Sequence, residues 1–172
     1  LSTLADAISA QAAGVQLTLS DGSVEKTREL CKKEGVDIII NLTTSGGEYE
    51  DYKRLQHLSA LKPEMCSFDP NTLNWSNSYI FENSPRFLNK LAEEVVKEDV
   101  KPEFEIFDFG ALRAVGIYWK KGFVVAPLHF QFCLGVVGGM DATPHDLQIL
   151  LDEMHNLQAA GKLPAECTWS GF

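Results

Sequence analysis

Short apolar runs alternate along this chain with segments that carry helix start and stop signals, and that alternation restricts the fold more than any other feature. The clearest run is 36–44, VDIIINLTT, continuous and β-branched, which marks a strand buried on both faces of a parallel sheet. Further strands are predicted at 15–19, 65–68, 102–108, 128–136 and 166–170. Helices are predicted between them. Residues 2–13 are alanine-rich and amphipathic, and 23–34 are charged and closed by Gly35. The segment 49–61 places Leu55, Leu58 and Leu61 on one stripe before Pro63. Ser84-Pro85 and Thr143-Pro144 each pair an N-cap residue with proline at the first helical position, opening helices that reach about residues 97 and 160. A last helix is predicted at 111–120.

A helix at every crossover is the pattern of a βαβ series. The fold expected is α/β: a partial (β/α)8 barrel of about six consecutive strand–helix units, with the first and last strands absent, forming one domain over 1–172. A doubly wound open sheet is the rival, but neither the Gly-rich loop of a dinucleotide fold nor a P-loop occurs.

The chain has 172 residues, 45% of them hydrophobic, enough for a sizeable core. Its formal charge of -9 disfavours nucleic acid as a partner. The longest apolar stretch, 123–140, is broken by Pro127, His129, Gln131 and glycines, so no membrane span is expected. No leader is recognised, and the four scattered cysteines lack CxxC spacing, so the expected compartment is reducing and intracellular, cytoplasm or an organelle matrix. Sequons occur at Asn41 and Asn74, but Asn41 falls in a predicted buried strand.

In a parallel barrel, chemistry sits where strands run into the following loops. Those ends are polar here: Gln16, Thr18 and Ser20; Thr43, Thr44 and Ser45; Ser67 and Asp69; Glu105 and Asp108; His129 and Gln131; Thr168 and Ser170. Glu105 is a functional candidate in its own right, because a carboxylate inside a barrel is costly unless paired; a salt-bridged or solvent-facing strand glutamate is the competing reading. His129 has no second ligand at strand spacing and is expected to be a hydrogen-bonded core histidine, while His57, His145 and His155 are read as surface residues. Ser45 to Gly47 is read as a plain turn in preference to an anion cradle, and Trp75 and Trp119 as packing residues.

Several segments together resemble the β-keto acid cleavage enzymes, BKACE. They are NLTTSGG (41–47), LKPEMCSFDPNTLNW (61–75), KPEFEIFDFG (101–110), PLHFQFCLGVVGGMDATPHDL (127–147) and TWSGF (168–172), in the family's order and at suitable spacings. The resemblance implies a (β/α)8 barrel. It also implies acetyl-CoA-dependent acyl exchange on a β-keto acid, giving acetoacetate and an acyl-CoA, with a divalent metal, usually zinc, polarising the keto group. It assigns Glu105 to the family's active-site glutamate, and Thr43 and Ser67 to polar positions that touch substrate; for these two hydroxyls, capping of local backbone is the competing reading.

The family's two histidine ligands, His-x-His on the second strand, fall at Gln16 and Thr18, and Ser20 stands where an arginine usually follows. Neither amide nor hydroxyl is a normal zinc ligand. The loop that follows is shorter than the family's, and the segment carrying the third ligand, a glutamate, lies past Phe172. No metal ligand and no cofactor are therefore supported by this chain itself. Two readings stay open. One is an active acyl-exchange enzyme using a β-keto acid and acetyl-CoA; the other is a non-catalytic structural or interaction subunit. A homo-oligomer or larger assembly is expected in either case, and the sequence may be a subset of a longer protein.

Overall fold

In the computed structural model, residues 23–171 are described. The predicted helix at 2–13, the strand at 15–19 and the positions Gln16, Thr18 and Ser20 lie outside them. Along the chain come α1 (Ser23–Glu34), β1 (Asn41–Leu42), α2 (Asp51–Leu61), β2 (Met65–Phe68), β3 (Leu73–Trp75), β4 (Tyr79–Phe81), α3 (Pro85–Lys97), β5 (Lys101–Ile106), α4 (Phe109–Lys120), β6 (Leu128–Phe132), α5 (Pro144–Ala159) and β7 (Cys167–Gly171).

Five strands form one parallel sheet in the order β1-β2-β5-β6-β7. Each new strand joins the same edge, so among the described residues the order never reverses as it does in a doubly wound sheet. Only β3 and β4 break the rhythm, as an antiparallel hairpin inserted between β2 and α3.

The two sheet faces differ because the sequence alternates. Pro102, Phe104 and Ile106 of β5 and Leu128, Phe130 and Phe132 of β6 are buried, whereas Glu103, Glu105, His129 and Gln131 between them are only half-buried. The apolar face lies under the helices, which supply Leu58, the stripe Phe87, Leu88, Leu91, Ala92 and Val95, and Leu112, Val115, Leu150 and Met154. An aromatic ladder crosses the strands on this side. The Phe68 and Phe104 ring centroids are 5.1 Å apart, and those of Phe104 and Phe130 are 5.9 Å apart. The polar residues consequently line up on the opposite face.

The Ser84-Pro85 and Thr143-Pro144 helix starts are as predicted, while the helices expected at 49–61 and 111–120 begin at Asp51 and Phe109. Ser84 Oγ accepts from the Phe87 N–H, and Thr143 Oγ1 from the Asp146 N–H at 3.1 Å. Other expectations need correction. The run 36–44 is a strand only at Asn41–Leu42, because its neighbour β2 does not begin until Met65; Ile40 O accepts the Met65 N–H at 3.0 Å, and the residues before it have nothing alongside to pair with. Val36 and Ile39 are exposed. β5 ends at Ile106, and Asp108, read as a strand-end candidate, caps α4 by accepting from the Ala111 N–H at 2.9 Å. His57 is half-buried, with Nε2 lacking a hydrogen-bond partner among the described residues, and burial lowers its pKa.

The hairpin rests on a separate small core of Leu73, Phe81, Phe107 and Cys133, with Trp75 and Val136 against it. The loop after β6 pins it there: the Ser76 N–H donates to Val137 O at 2.9 Å, and the Met140 N–H to Phe107 O at 2.8 Å. Gly138 allows this approach. Its φ is +105°, and a Cβ there would stand 2.2 Å from Asn74 O. Gly138→Ala is expected to destabilise the protein by about 2 kcal/mol or more through backbone strain and this clash. Urea unfolding checks this, and an unchanged midpoint would refute it.

Candidate active site

Register places the polar side chains in rows across the sheet. Ser67, Glu103, His129 and Thr168 are successive partners in one row; Glu105, Gln131 and Ser170 form the next, towards the strand C-termini. The lower row is linked within itself, to Asn41 and to the row above. Glu103 Oε1 accepts from Asn41 Nδ2 at 2.8 Å, and Glu103 Oε2 lies 3.7 Å from His129 Nε2. His129 Nδ1 is 2.9 Å from Thr168 Oγ1, and Nε2 is 3.3 Å from Ser170 Oγ. Ser170 in turn donates to Gln131 Oε1. His129 is thus hydrogen-bonded as expected, but on the polar face and not in the apolar core; burial lowers its pKa against the opposing pull of Glu103.

Of the sequence candidates, Thr43 and Ser67 come together and Glu105 stands one row above. The Thr43 and Ser67 hydroxyl oxygens are 3.5 Å apart. Ser67 is fully buried, and its Oγ accepts the Thr44 N–H at 3.0 Å. Thr43 is exposed, and its Oγ1 accepts the Ser45 N–H at 3.0 Å. Thr44, buried, donates its hydroxyl to Ser67 O at 2.9 Å.

Glu105 forms part of a cleft of about 430 Å³ whose walls are the turn at 45–49 and the hairpin residues Trp75, Tyr79 and Phe81. The turn closes with the Tyr49 N–H donating to Gly46 O at 2.8 Å. The cleft volume is that of a small-molecule site. A larger groove of about 800 Å³ between α4 and α5 takes none of its lining from a strand.

Asp69, just past β2, is 2% exposed, and neither carboxyl oxygen has a hydrogen-bond partner among the described residues. Burial, then the adjacent Asp69 charge and that of Glu103, push Glu105 well above the ordinary carboxylate range. Burial likewise raises Asp69, against the pull of Arg54. Two carboxyls confined this way keep a proton between them at neutral pH. Both groups bind protons more tightly folded than unfolded, so their contribution to stability is complete below the ordinary carboxylate range and is lost as pH rises through their raised values. Thermal midpoints measured upward from pH 5 should therefore fall, and Glu105→Gln should flatten that slope; an equal slope in the variant would refute it.

Sequence reading missed Arg54. It lies four residues before Leu58, on the stripe that faces the core, and that spacing was the available signal. Its guanidinium is buried, stacked 3.5 Å from the Phe87 ring centroid, and donates to Thr44 O at 2.9 Å, Glu82 O at 3.0 Å and Asn83 Oδ1 at 2.6 Å. It ties the end of β1 to the end of the hairpin.

The described residues do not supply a zinc donor set. Among the described residues, no three His, Cys, Asp or Glu side chains converge on one point. His129 and Glu103 lie 3.7 Å apart, and both groups are engaged within the sheet. Among the same residues no helix is long and apolar enough to cross a membrane.

A family model described as beta-keto acid cleavage enzyme matches residues 11–172. The 3-keto-5-aminohexanoate cleavage enzyme of Acetoanaerobium sticklandii is 35% identical over 148 residues, 86% of this chain and 49% of that protein. The 3-dehydrocarnitine:acetyl-CoA trimethylamine transferase of Rhizobium meliloti is 30% identical over 121 residues, 70% of this chain and 37% of that protein. The chain thus spans half or less of the length of these relatives. Among solved structures, the binary complex of ObcA with oxaloacetate is similar with a TM-score of 0.60 at 17% identity, covering 83% of this chain and 38% of that one, a likeness of fold.

Proposed function

Since the chain belongs to the β-keto acid cleavage enzyme family, we propose that it carries the strand-end half of a site for acetyl-CoA-dependent cleavage of a β-keto acid, giving acetoacetate and an acyl-CoA. The observation that carries this is Glu105: a strand-end carboxyl that opens on a small-molecule cleft and is backed by a second buried carboxyl, Asp69. Exchange of this kind must remove a proton from the carbon between two carbonyl groups and return one to the acetoacetate released. A carboxyl held above its ordinary pKa takes and gives that proton near neutral pH. Burial, with the charge of Asp69 behind it, raises the proton affinity of Glu105, and the Thr43 hydroxyl, exposed just past β1 and 3.5 Å from Ser67 Oγ, is a donor for a substrate oxygen. The resemblance implies zinc for the oxyanion, but the described residues hold no donor set for it. The singly wound sheet is read as an arc of a (β/α)8 barrel in one domain, acting within an oligomer or larger assembly.

Gln16 and Thr18 in the places of the family's histidines favour one second reading, a non-catalytic subunit retaining the fold. One experiment separates the two. The protein is incubated with acetyl-CoA and a panel of β-keto acids, with and without added zinc, and acetoacetate is assayed. Acetoacetate that requires both substrates is expected; none under any condition overturns catalysis and leaves the subunit.

A further inference from the structure

The chain is acidic as a whole, with a formal charge of -9, yet one of its grooves carries the opposite sign. The groove of about 800 Å³ between α4 and α5 is lined by Lys120, Lys121 and Lys162, and by Arg113, whose Nε donates to Glu153 Oε1 at 2.9 Å. Glu153 is the one carboxylate among the lining residues, and Arg113 neutralises it. None of the three lysines makes an ion pair among the described residues.

Helix capping does not account for these lysines. Lys120 ends α4 and Ala160 follows α5, so both helices bring their carbonyl ends to the groove. Backbone N–H groups already occupy those carbonyls: Lys121 donates to Ile117 O at 3.1 Å, Gly122 to Trp119 O at 2.9 Å, Ala160 to Asn156 O at 2.9 Å and Lys162 to Leu157 O at 2.7 Å. The Lys120 and Lys121 side chains lie over rings instead, with Nζ 4.6 Å from the Trp119 centroid and 5.8 Å from the Phe123 centroid.

Between the charges the lining is aliphatic. Ile117 is 56% exposed, and Gly116, Leu157 and Ala160 continue the surface. Gly116 lets the turn after α5 close against α4, since a Cβ there would stand 2.7 Å from Lys162 O. No aromatic ring lines the groove among the described residues.

The volume is that of a small-molecule site. A bare anion would leave the aliphatic surface wet, a neutral chain would leave three ammonium groups without a partner, and a nucleobase would find no ring to stack on. An alkyl chain ending in a phosphate satisfies both parts. The chain covers Ile117 and Leu157, and the head, with a charge of about -1.5 to -2, meets the lysines.

We propose that the α4–α5 groove binds a soluble single-chain alkyl phosphate, its head held by Lys120, Lys121 and Lys162 and its chain laid over Ile117 and Leu157. The groove lies at the end of the sheet where β6 and β7 begin, and Glu105 lies towards the other end, so this site is separate from the proposed reaction and does not depend on it.

The test is isothermal titration calorimetry of the whole chain with decyl phosphate below its micelle concentration. Inorganic phosphate supplies the head alone, octyl glucoside a neutral amphiphile, and phosphatidylglycerol vesicles a membrane source. Saturable binding of decyl phosphate is expected, at least about tenfold tighter than either phosphate or octyl glucoside, the scale of losing the chain or the charged contacts. The double variant Lys121→Glu with Lys162→Glu and the single variant Ile117→Asp, all at exposed positions, should each weaken it about tenfold or more with the urea midpoint unchanged. Lys33→Glu, an equivalent change of charge on α1, should leave it as it was. Absence of binding, equal affinity for phosphate or octyl glucoside, binding only to vesicles, or affinity unmoved by the groove variants overturns the proposal.

Discussion

Glu105→Gln is expected to lower acetoacetate production by roughly 100-fold or more, the usual contribution of a positioned general acid–base, while the protein stays folded. The amide keeps the shape of the carboxyl and removes a charge that burial and Asp69 disfavour. Stability at pH 8 should be equal or higher than that of the parent, as is common when a strained functional group is neutralised. Activity retained within a few-fold, with a native circular dichroism spectrum and urea midpoint, would remove Glu105 from the chemistry. A loss of activity together with loss of fold is distinguished by the same two measurements.

The largest effect on stability is expected at Arg54. Arg54→Met keeps the length of the side chain and its packing on Phe87 but leaves Thr44 O, Glu82 O and Asn83 Oδ1 without their donor. Thr44 and Asn83 are buried, so water does not readily replace the guanidinium. Three charge-assisted bonds lost at such a site cost about 3–5 kcal/mol. Arg54→Lys should rescue little of this, because a single ammonium cannot span three acceptors arranged for a planar fork. Urea unfolding of both variants checks the prediction, and a loss below about 1 kcal/mol would show that the bonds contribute no more than a surface pair.

How much of this was legible in the sequence depended on whether a signal was local. The Ser84-Pro85 and Thr143-Pro144 starts are local and appear where expected. The alternation in KPEFEI predicts a strand with one polar face, and Glu103 and Glu105 lie on it. The hairpin went unread because its strands are three residues each and its turn uses Ser76 and Asn77, both at φ +52°, in place of the glycine that usually marks such a turn. Asp69 was visible as a strand-end polar residue, but its burial beside Glu105 depends on the pairing of β2 with β5, between residues more than 30 positions apart. Arg54 was hidden by its charge, since an arginine on a helix is ordinarily a surface residue. No composition argument anticipates three acceptors drawn from two loops.

The hairpin's private core has an evolutionary corollary. Leu73, Phe81, Phe107 and Cys133 hold it without borrowing from the aromatic ladder beneath the sheet. Tyr79 and Ile80 project from it with exposed side chains that neither core requires. Substitutions at its tip can therefore accumulate without eroding the scaffold. A few hairpin positions could therefore be rewritten to reshape the cleft wall, while Glu105 and Asp69, held by the parallel sheet, stay in place.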